Sequence, residues 1–128
     1  MKIKKRCLFC SNKIKKRIIA ENEFAFAIYD LDPVTKYHCL IITKRHINNF
    51  FKVKKNEITS IFEIIKKLQN IIKIKDKKIK GFNLGSNSGK VSGQTILHLH
   101  FHLIPRRVND YDLRRKKDFF WINKKYFN

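Results

Sequence analysis

The sequence predicts a mixed fold in which several short strands form a sheet and one long amphipathic helix lies on it. Three patterns carry this prediction. Between residues 94 and 104 histidine alternates with large apolar residues, which on a strand puts His98, His100 and His102 on one face and Leu97, Leu99, Phe101 and Leu103 on the other, toward a core. Tyr37 to Thr43 is a near-continuous apolar run of strand length, as expected for a central strand covered on both faces. Ile58, Ile61, Phe62, Ile65, Leu68 and Ile72 recur at spacings of three and four, which predicts a helix over about residues 55 to 73, with Lys66, Lys67 and Lys73 on or near its opposite face.

A chain of 128 residues fits a single domain with one modest core. A hydrophobic fraction of 43% argues against disorder despite 31% charged residues. The net charge of +20 invites a nucleic-acid or anionic-membrane reading. Its bases are spread along the whole chain, mostly as Lys, beside many Ile and Asn and only three Ala, as in a composition biased toward A+T-rich codons. A solvated basic surface is therefore favoured over a dedicated nucleic-acid face, although a positive field still draws polyanionic nucleotides. No stretch approaches the roughly 20 apolar residues of a membrane span. Met1 to Arg6 is charged but leads into mixed sequence instead of an apolar signal core, so a cytoplasmic protein is expected. In that reducing compartment three cysteines argue against a disulfide framework and leave metal binding or free thiols.

Taken in order, Cys7-Leu8-Phe9-Cys10 is a lone C-x-x-C, compatible with redox chemistry, with metal, or with two small cysteines packed under a loop. A closed zinc site needs two further ligands, for which His46 and His98 are candidates. Lys13 to Arg17 form a basic patch before the β-prone Ile18-Ile19-Ala20; Glu21 to Glu23 read as a turn into Phe24 to Tyr29, completing a hairpin. Phe24, Phe26 and Ile28 share a face, expected to be core, and Ile28 can instead line an apolar slot for a flat ring. Asp30 to Pro33 is a loop, because proline cannot donate to a ladder and restricts the residue before it. His38 opens the central strand, where an isolated histidine is more often structural than catalytic. After the helix, Ile79 to Ser86 resumes strand character, and Asn87 to Gly93 is a small-residue loop. Glycines 81, 85, 89 and 93 match no dinucleotide or P-loop fingerprint and mark a turn and close backbone approach. Beyond Pro105 the chain is basic and aromatic, a pattern that can bind single-stranded nucleic acid by backbone contact and stacking; packing over the core or a second subunit is favoured, because Phe119-Phe120-Trp121 is too apolar to be left exposed.

The alternating histidines themselves admit three readings: a polar strand face, ligands to zinc, or an imidazole nucleophile that forms a covalent intermediate. Context decides among them. His98-Leu99-His100-Phe101-His102-Leu103-Ile104, preceded by Gly93-Gln94-Thr95, resembles the signature of the histidine-triad (HIT) superfamily of nucleotide hydrolases and transferases. Asp30 to Pro33, His38 to Ile42, Lys44-Arg45-His46, Gly81 to Gly89 and Cys7 to Cys10 support the resemblance, which covers roughly residues 7 to 107 of a single HIT domain spanning 1–128, with a tail over 108–128.

The resemblance implies an α+β fold with an antiparallel sheet of about five strands and one long helix, commonly in a homodimer. It implies a nucleotide conjugate as substrate, attacked at its α-phosphate through a nucleotidyl-histidine, with release of a nucleoside monophosphate from a dinucleoside polyphosphate or a nucleoside phosphoramidate. His100 would be the nucleophile, with His38, His98 and His102 in support. Gln94 and Thr95 would touch the phosphate or leaving group, Asn83 the phosphate or sugar, Asp30 the ribose, and Ile28 the base of a purine nucleotide. As in zinc-containing bacterial HIT hydrolases, Cys7, Cys10, His46 and His98 would hold a structural zinc that fixes the ring of His98; no catalytic cofactor is implied. Ser86 to Ser88, Lys90 and the basic tail depart from the usual pattern and lean toward a polyphosphate substrate. The competing functional classes are a basic nucleic-acid-binding module, recognisable by steep salt dependence, and a nucleotide-binding regulator that turns over slowly.

Overall fold

The structure is a computed structural model and describes residues 6–110. Its five strands are β1 (Ile18–Glu21), β2 (Ala25–Tyr29), β3 (Cys39–Thr43), β4 (Gly81–Gly85) and β5 (His100–Arg106). They form one antiparallel sheet in the order β1-β2-β3-β5-β4. The long helix α2 (Lys55–Lys75) crosses one face, and the N-terminal segment with a four-residue helix, α1 (Asn12–Lys15), covers part of the other. The expected α+β architecture is therefore the observed one.

Side-chain alternation divides the sheet into two working faces. Ala25, Ala27, Cys39, Ile41 and Leu103 join Ile61, Ile64, Leu68 and Ile72 of α2 in the larger core. The small side chains of β2 are the ones turned to the helix, and they let it lie close. Phe26, Ile28, Leu40 and Ile42 point the other way and pack with Phe9 and Ile14 of the N-terminal segment. Register sets the outcome on β5: Leu40 lies opposite His102 and Ile42 opposite His100, so both imidazoles share the second face.

The buried stripe of α2 is rotated from the predicted one. Glu57, Ser60, Ile61, Ile64, Leu68 and Ile72 are buried, whereas Phe62 is 57% exposed with the Lys66 ammonium 5.5 Å from its ring centre. Spacing alone allowed either rotation, and the two alanines of β2 select the one that seats Ile61 and Ile64. Glu57 is polar yet 3% exposed, and its partners explain that. Its carboxylate accepts from the Lys54 backbone N–H at 2.9 Å, and from Arg45 Nε and Nη2 at 2.9 and 2.8 Å. Burial pushes this carboxyl up, but the Arg45 hydrogen bonds and the Lys54 amide outweigh it and hold the group below its ordinary range. The pair thus caps α2 and anchors the segment that presents His46.

The histidine strand is shorter at its start than predicted. Residues 94 to 99 are loop, and the ladder begins at His100. Leu97, expected in the core, lies outside the strand and is 41% exposed. α1 falls in the segment read as a basic patch; its signal is Ser11, whose side chain accepts from the Lys13 N–H at 3.0 Å as an N-cap. The packing expected of Phe119 to Trp121 lies outside the described residues.

Candidate active site

Four segments meet on the histidine face of the sheet: the N-terminal 3-10 turn Leu8–Cys10, the 30–38 loop, the glycine loop 89–95, and the start of β5. Between them is a cleft of about 180 Å³ whose wall includes Phe9, Ile28, Asp30, Thr95, His100 and His102. Ile28 and Leu40 belong to its buried apolar lining, and the more exposed lining mixes Leu8 and Leu31 with Asp30 and Asp32. Of the residues assigned to substrate from sequence, Ile28, Asp30 and Thr95 line this cleft.

Asn83, Gln94 and His98 are not among the residues that line it. Gln94 is 4% exposed, and its amide stitches the glycine loop: Nε2 donates to the carbonyls of Asn48 at 2.6 Å and Ile96 at 3.1 Å, while Oε1 accepts from Gly89 N–H at 2.8 Å. Gly89 and Gly93 take φ of 93° and 94°, a region that favours glycine, so this loop needs both. Asn83 shares the histidine face with Ile104 opposite, and its Oδ1 accepts from Arg106 Nε at 2.8 Å.

His100 is 6% exposed and sits under the edge of the Phe9 ring, 5.1 Å between centres. Its Nδ1 lies 2.7 Å from the His98 carbonyl oxygen. That carbonyl's own residue is turned away by a tight bend, with the His98 N–H on the Ile96 carbonyl at 2.9 Å. His102 Nδ1 lies 2.9 Å from His38 Nε2, which is itself 3.5 Å from Asp30 Oδ2. These last three side chains converge closely enough to hold a metal ion, but the 2.9 Å contact is that of a hydrogen bond between rings.

Burial keeps these rings neutral. His38 is pushed down to about 4, chiefly by burial and then by Arg106 and His100. His102 is pushed down to about 2 by burial, with His100 and His38 adding to it. His100 is lowered as well, mainly by burial, with the His98 carbonyl working against the shift. A folded-state value below the unfolded one means that protons bind the unfolded chain more readily, so stability is present above about pH 6.5 and is lost as pH falls toward 4. One such histidine removes about 2 kcal/mol between pH 7 and pH 5. Urea midpoints measured across that interval should fall accordingly, and a flat profile would mean that these rings are not held neutral.

Two histidines, His46 and His98, and two thiols form a separate cluster. One ligand atom from each of Cys7, Cys10, His46 and His98 lies within 4.8 Å of the others. His98 Nδ1 is 3.3 Å from Cys7 Sγ, 3.6 Å from Cys10 Sγ and 3.1 Å from His46 Nδ1, and Cys10 Sγ is 3.4 Å from His46 Nδ1. Donors about 2.0–2.3 Å from a tetrahedral ion stand about 3.3–3.8 Å from one another; three of these contacts fall in that range and the His46–His98 contact just below it, so the set is close to what such an ion needs. His98 Nε2 donates to the Thr43 carbonyl at 2.7 Å, which leaves Nδ1 as the lone-pair nitrogen facing the cluster, as a metal-bound imidazole requires. These residues could hold a metal ion. His98 is pushed down to about 4, first by burial, against the Thr43 hydrogen bond and with help from His46 and His100, so it is in its ligating form at neutral pH. Phe9 joins the two centres, its ring meeting both His98 and His100 edge-on.

Comparison with known proteins identifies the family of this chain. The HIT domain model matches residues 11–109. An uncharacterised HIT-like protein of Methanocaldococcus jannaschii is 32% identical over 107 residues, 81% of each chain. An adenosine 5'-monophosphoramidase of Candida albicans is 28% identical over 79% of this chain and 70% of its own. The crystal structure of a HIT family protein from Bacillus anthracis superposes with a TM-score of 0.76 at 31% identity, covering 92% of this chain and 88% of that one. With the family model matching residues 11–109 and the Methanocaldococcus relative 32% identical over 81% of each chain, the chain belongs to the HIT family.

Proposed function

We propose that this protein is a nucleotide hydrolase that attacks the α-phosphate of a nucleotide conjugate with His100 and releases a nucleoside monophosphate. The observation that carries the reading is the hydrogen bond of His100. A carbonyl can only accept, so the 2.7 Å contact with His98 O puts the ring proton on Nδ1 and leaves the Nε2 lone pair as the nucleophile in the cleft wall. In the first step Nε2 bonds to phosphorus, the bond from phosphorus to the leaving group breaks, and the leaving group departs with a proton taken from solvent, which the water of the second step returns. Water then cleaves the P–N bond, restoring the imidazole and yielding the monophosphate. The His98 carbonyl stabilises the positive charge that the ring gains in between.

Thr95 and His102 are placed to meet charge on the phosphoryl oxygens, Asp30 to take ribose hydroxyls, and Ile28 to border a purine. Gln94, Asn83 and His98 act by holding the glycine loop, the β4–β5 edge and the N-terminal turn. His38 supports His102. We further propose that Cys7, Cys10, His46 and His98 hold a structural zinc, and that the whole chain, core 7–107 and tail 108–128, works as one cytoplasmic HIT domain. Among the described residues no helix is long and apolar enough to cross a membrane.

A homodimer also follows as a proposal, because among the described residues β4 is an edge of the sheet and carries Leu84 at 50% exposure. Sedimentation should give twice the 15.4 kDa chain mass, and a monomer at micromolar concentration would count against it. Turnover is tested with adenosine 5'-monophosphoramidate, suggested by the name of the Candida relative, beside a dinucleoside polyphosphate. Nucleoside monophosphate from at least one is expected, and inertness toward both, with tight salt-sensitive binding of single strands instead, would favour the nucleic-acid module.

A further inference from the structure

We propose that Val34 and Thr35 are positioning residues that fix which ring nitrogen of His38 and of His102 carries the proton. The backbone N–H of Val34 lies 3.1 Å from His38 Nδ1. An amide can only donate, so this nitrogen of His38 accepts, and in the neutral ring the proton is on Nε2. That nitrogen lies 2.9 Å from His102 Nδ1, so it donates there, and His102 Nδ1 is an acceptor in turn. The proton of His102 is therefore on Nε2. One main-chain amide thus sets two imidazoles in series. The reverse order would ask His38 to accept on both nitrogens, which a neutral imidazole cannot do, and a doubly protonated His38 would turn Nδ1–H against the Val34 N–H. Burial at 1% exposure also opposes that cation.

Thr35 supplies the anchor for this amide. Its hydroxyl donates to the Pro105 carbonyl of β5 at 2.7 Å, and its own carbonyl accepts from the His38 N–H at 3.1 Å. The intervening Tyr37 has φ of 74°, a left-handed conformation that is strained for a non-glycine residue. Its ring is held 6.0 Å from that of Tyr29, and the Lys75 ammonium lies 5.8 Å from it. Arg107 Nη2 donates to the Lys36 carbonyl at 3.1 Å, a second tie from the β5 side. The loop is thereby fixed to the strand that carries the catalytic histidines, and the Val34 amide is fixed with it.

The consequence for catalysis rests on the nucleotide-hydrolase reading: a His102 with its proton on Nε2 offers a donor to phosphoryl charge, and the other tautomer would offer a lone pair and repel it. The proton assignment itself needs no substrate. Proton-nitrogen correlation spectra of the full-length, metal-replete protein should show His38 and His102 each protonated on Nε2 alone at neutral pH. A proton on Nδ1 of His102 would overturn the proposal whatever the enzyme does. In Thr35→Val, which keeps the shape and loses the hydroxyl, mixed tautomers at His102 are expected, with kcat about tenfold lower and KM little changed. Val34→Pro removes the donor and should lower kcat about a hundredfold, while Val34→Ala keeps it and should retain both tautomers and rate. Unaltered His102 signals in a folded Thr35→Val or Val34→Pro protein would refute the role of the loop. Altered signals with no activity in wild type would instead fault the hydrolase reading alone.

Discussion

His100→Asn should lower kcat by about four orders of magnitude or more while leaving nucleotide binding and thermal stability close to wild type. The asparagine amide fills much of the imidazole's volume and can still donate to the His98 carbonyl, so the loss isolates nucleophilicity from packing. The size of the effect follows from the route. Without Nε2 there is no covalent step, and water must displace the leaving group directly, unaided by a nucleophile held at the cleft wall. His102→Asn should cost less, about a hundredfold, because it removes a donor to developing charge and leaves the attacking atom in place. Single-turnover kinetics with a nucleotide conjugate separates the two cases. If His100→Asn kept most of its activity while His102→Asn lost all of it, the roles of these two rings would have to be exchanged.

The second large effect concerns the Cys/His cluster. Cys10→Ser should abolish stoichiometric metal in native mass spectra and lower the melting temperature by about 10 °C or more, since an ion that binds only the folded chain contributes its binding free energy to folding. The damage should spread to the cleft in a defined way. Cys7 and Cys10 flank the turn that carries Phe9 and Leu8 into the cleft wall, and the Phe9 ring meets His100 edge-on at 5.1 Å. Release of that turn should therefore raise KM for the nucleotide, and because His98 is both a member of the cluster and the residue whose carbonyl holds His100, it should lower kcat as well. Without a cation, burial pushes the Cys7 thiol up; a bound ion reverses that and holds thiolate. Protein prepared without chelator that contains no metal, and a Cys10→Ser variant as stable as wild type, would together remove the structural-zinc proposal.

Much of this arrangement could be read from the chain because it depends on short periodicities. His100 and His102 land on one face of β5 since they are two residues apart in a strand, and Leu99 and Leu103 are buried on schedule. The alternation of His98 fits the same pattern for a different reason. Its residue precedes the ladder, and a bend at Ile96 turns its ring toward the cysteines instead of aligning it with the other two. Leu97 shows the same limit from the other side: period two assigned it to the core, but there is no pleat at that point to put it there. For α2, spacing identified the helix and its length but not its rotation, which is decided by Ala25 and Ala27 on a strand thirty or more residues away. The four ligand-type residues of the cluster could be named because cysteine and histidine are scarce in this sequence. The role of Val34 could not, because it is played by a backbone amide that every residue but proline possesses, and only the fold brings it to His38.

The positive charge has a modest place in this account. Arg45 is tied to Glu57, Arg106 to Asn83, and Arg107 to Asp76 and Asp110. Those cations act inside the fold, and the many lysines on α2 line its solvent side. A general positive field assists the approach of a polyanionic substrate and should make kcat/KM fall with ionic strength more steeply for a polyphosphate than for a phosphoramidate.

The proposed chemistry turns on one bond, between His100 Nε2 and phosphorus. Rapid quenching into alkali during turnover of a nucleotide conjugate, followed by peptide mapping, measures it directly. A nucleoside-monophosphate adduct on His100, stable in alkali and lost in acid, is the result this structure predicts; the same adduct on another side chain, or turnover at full rate with none forming, would contradict it.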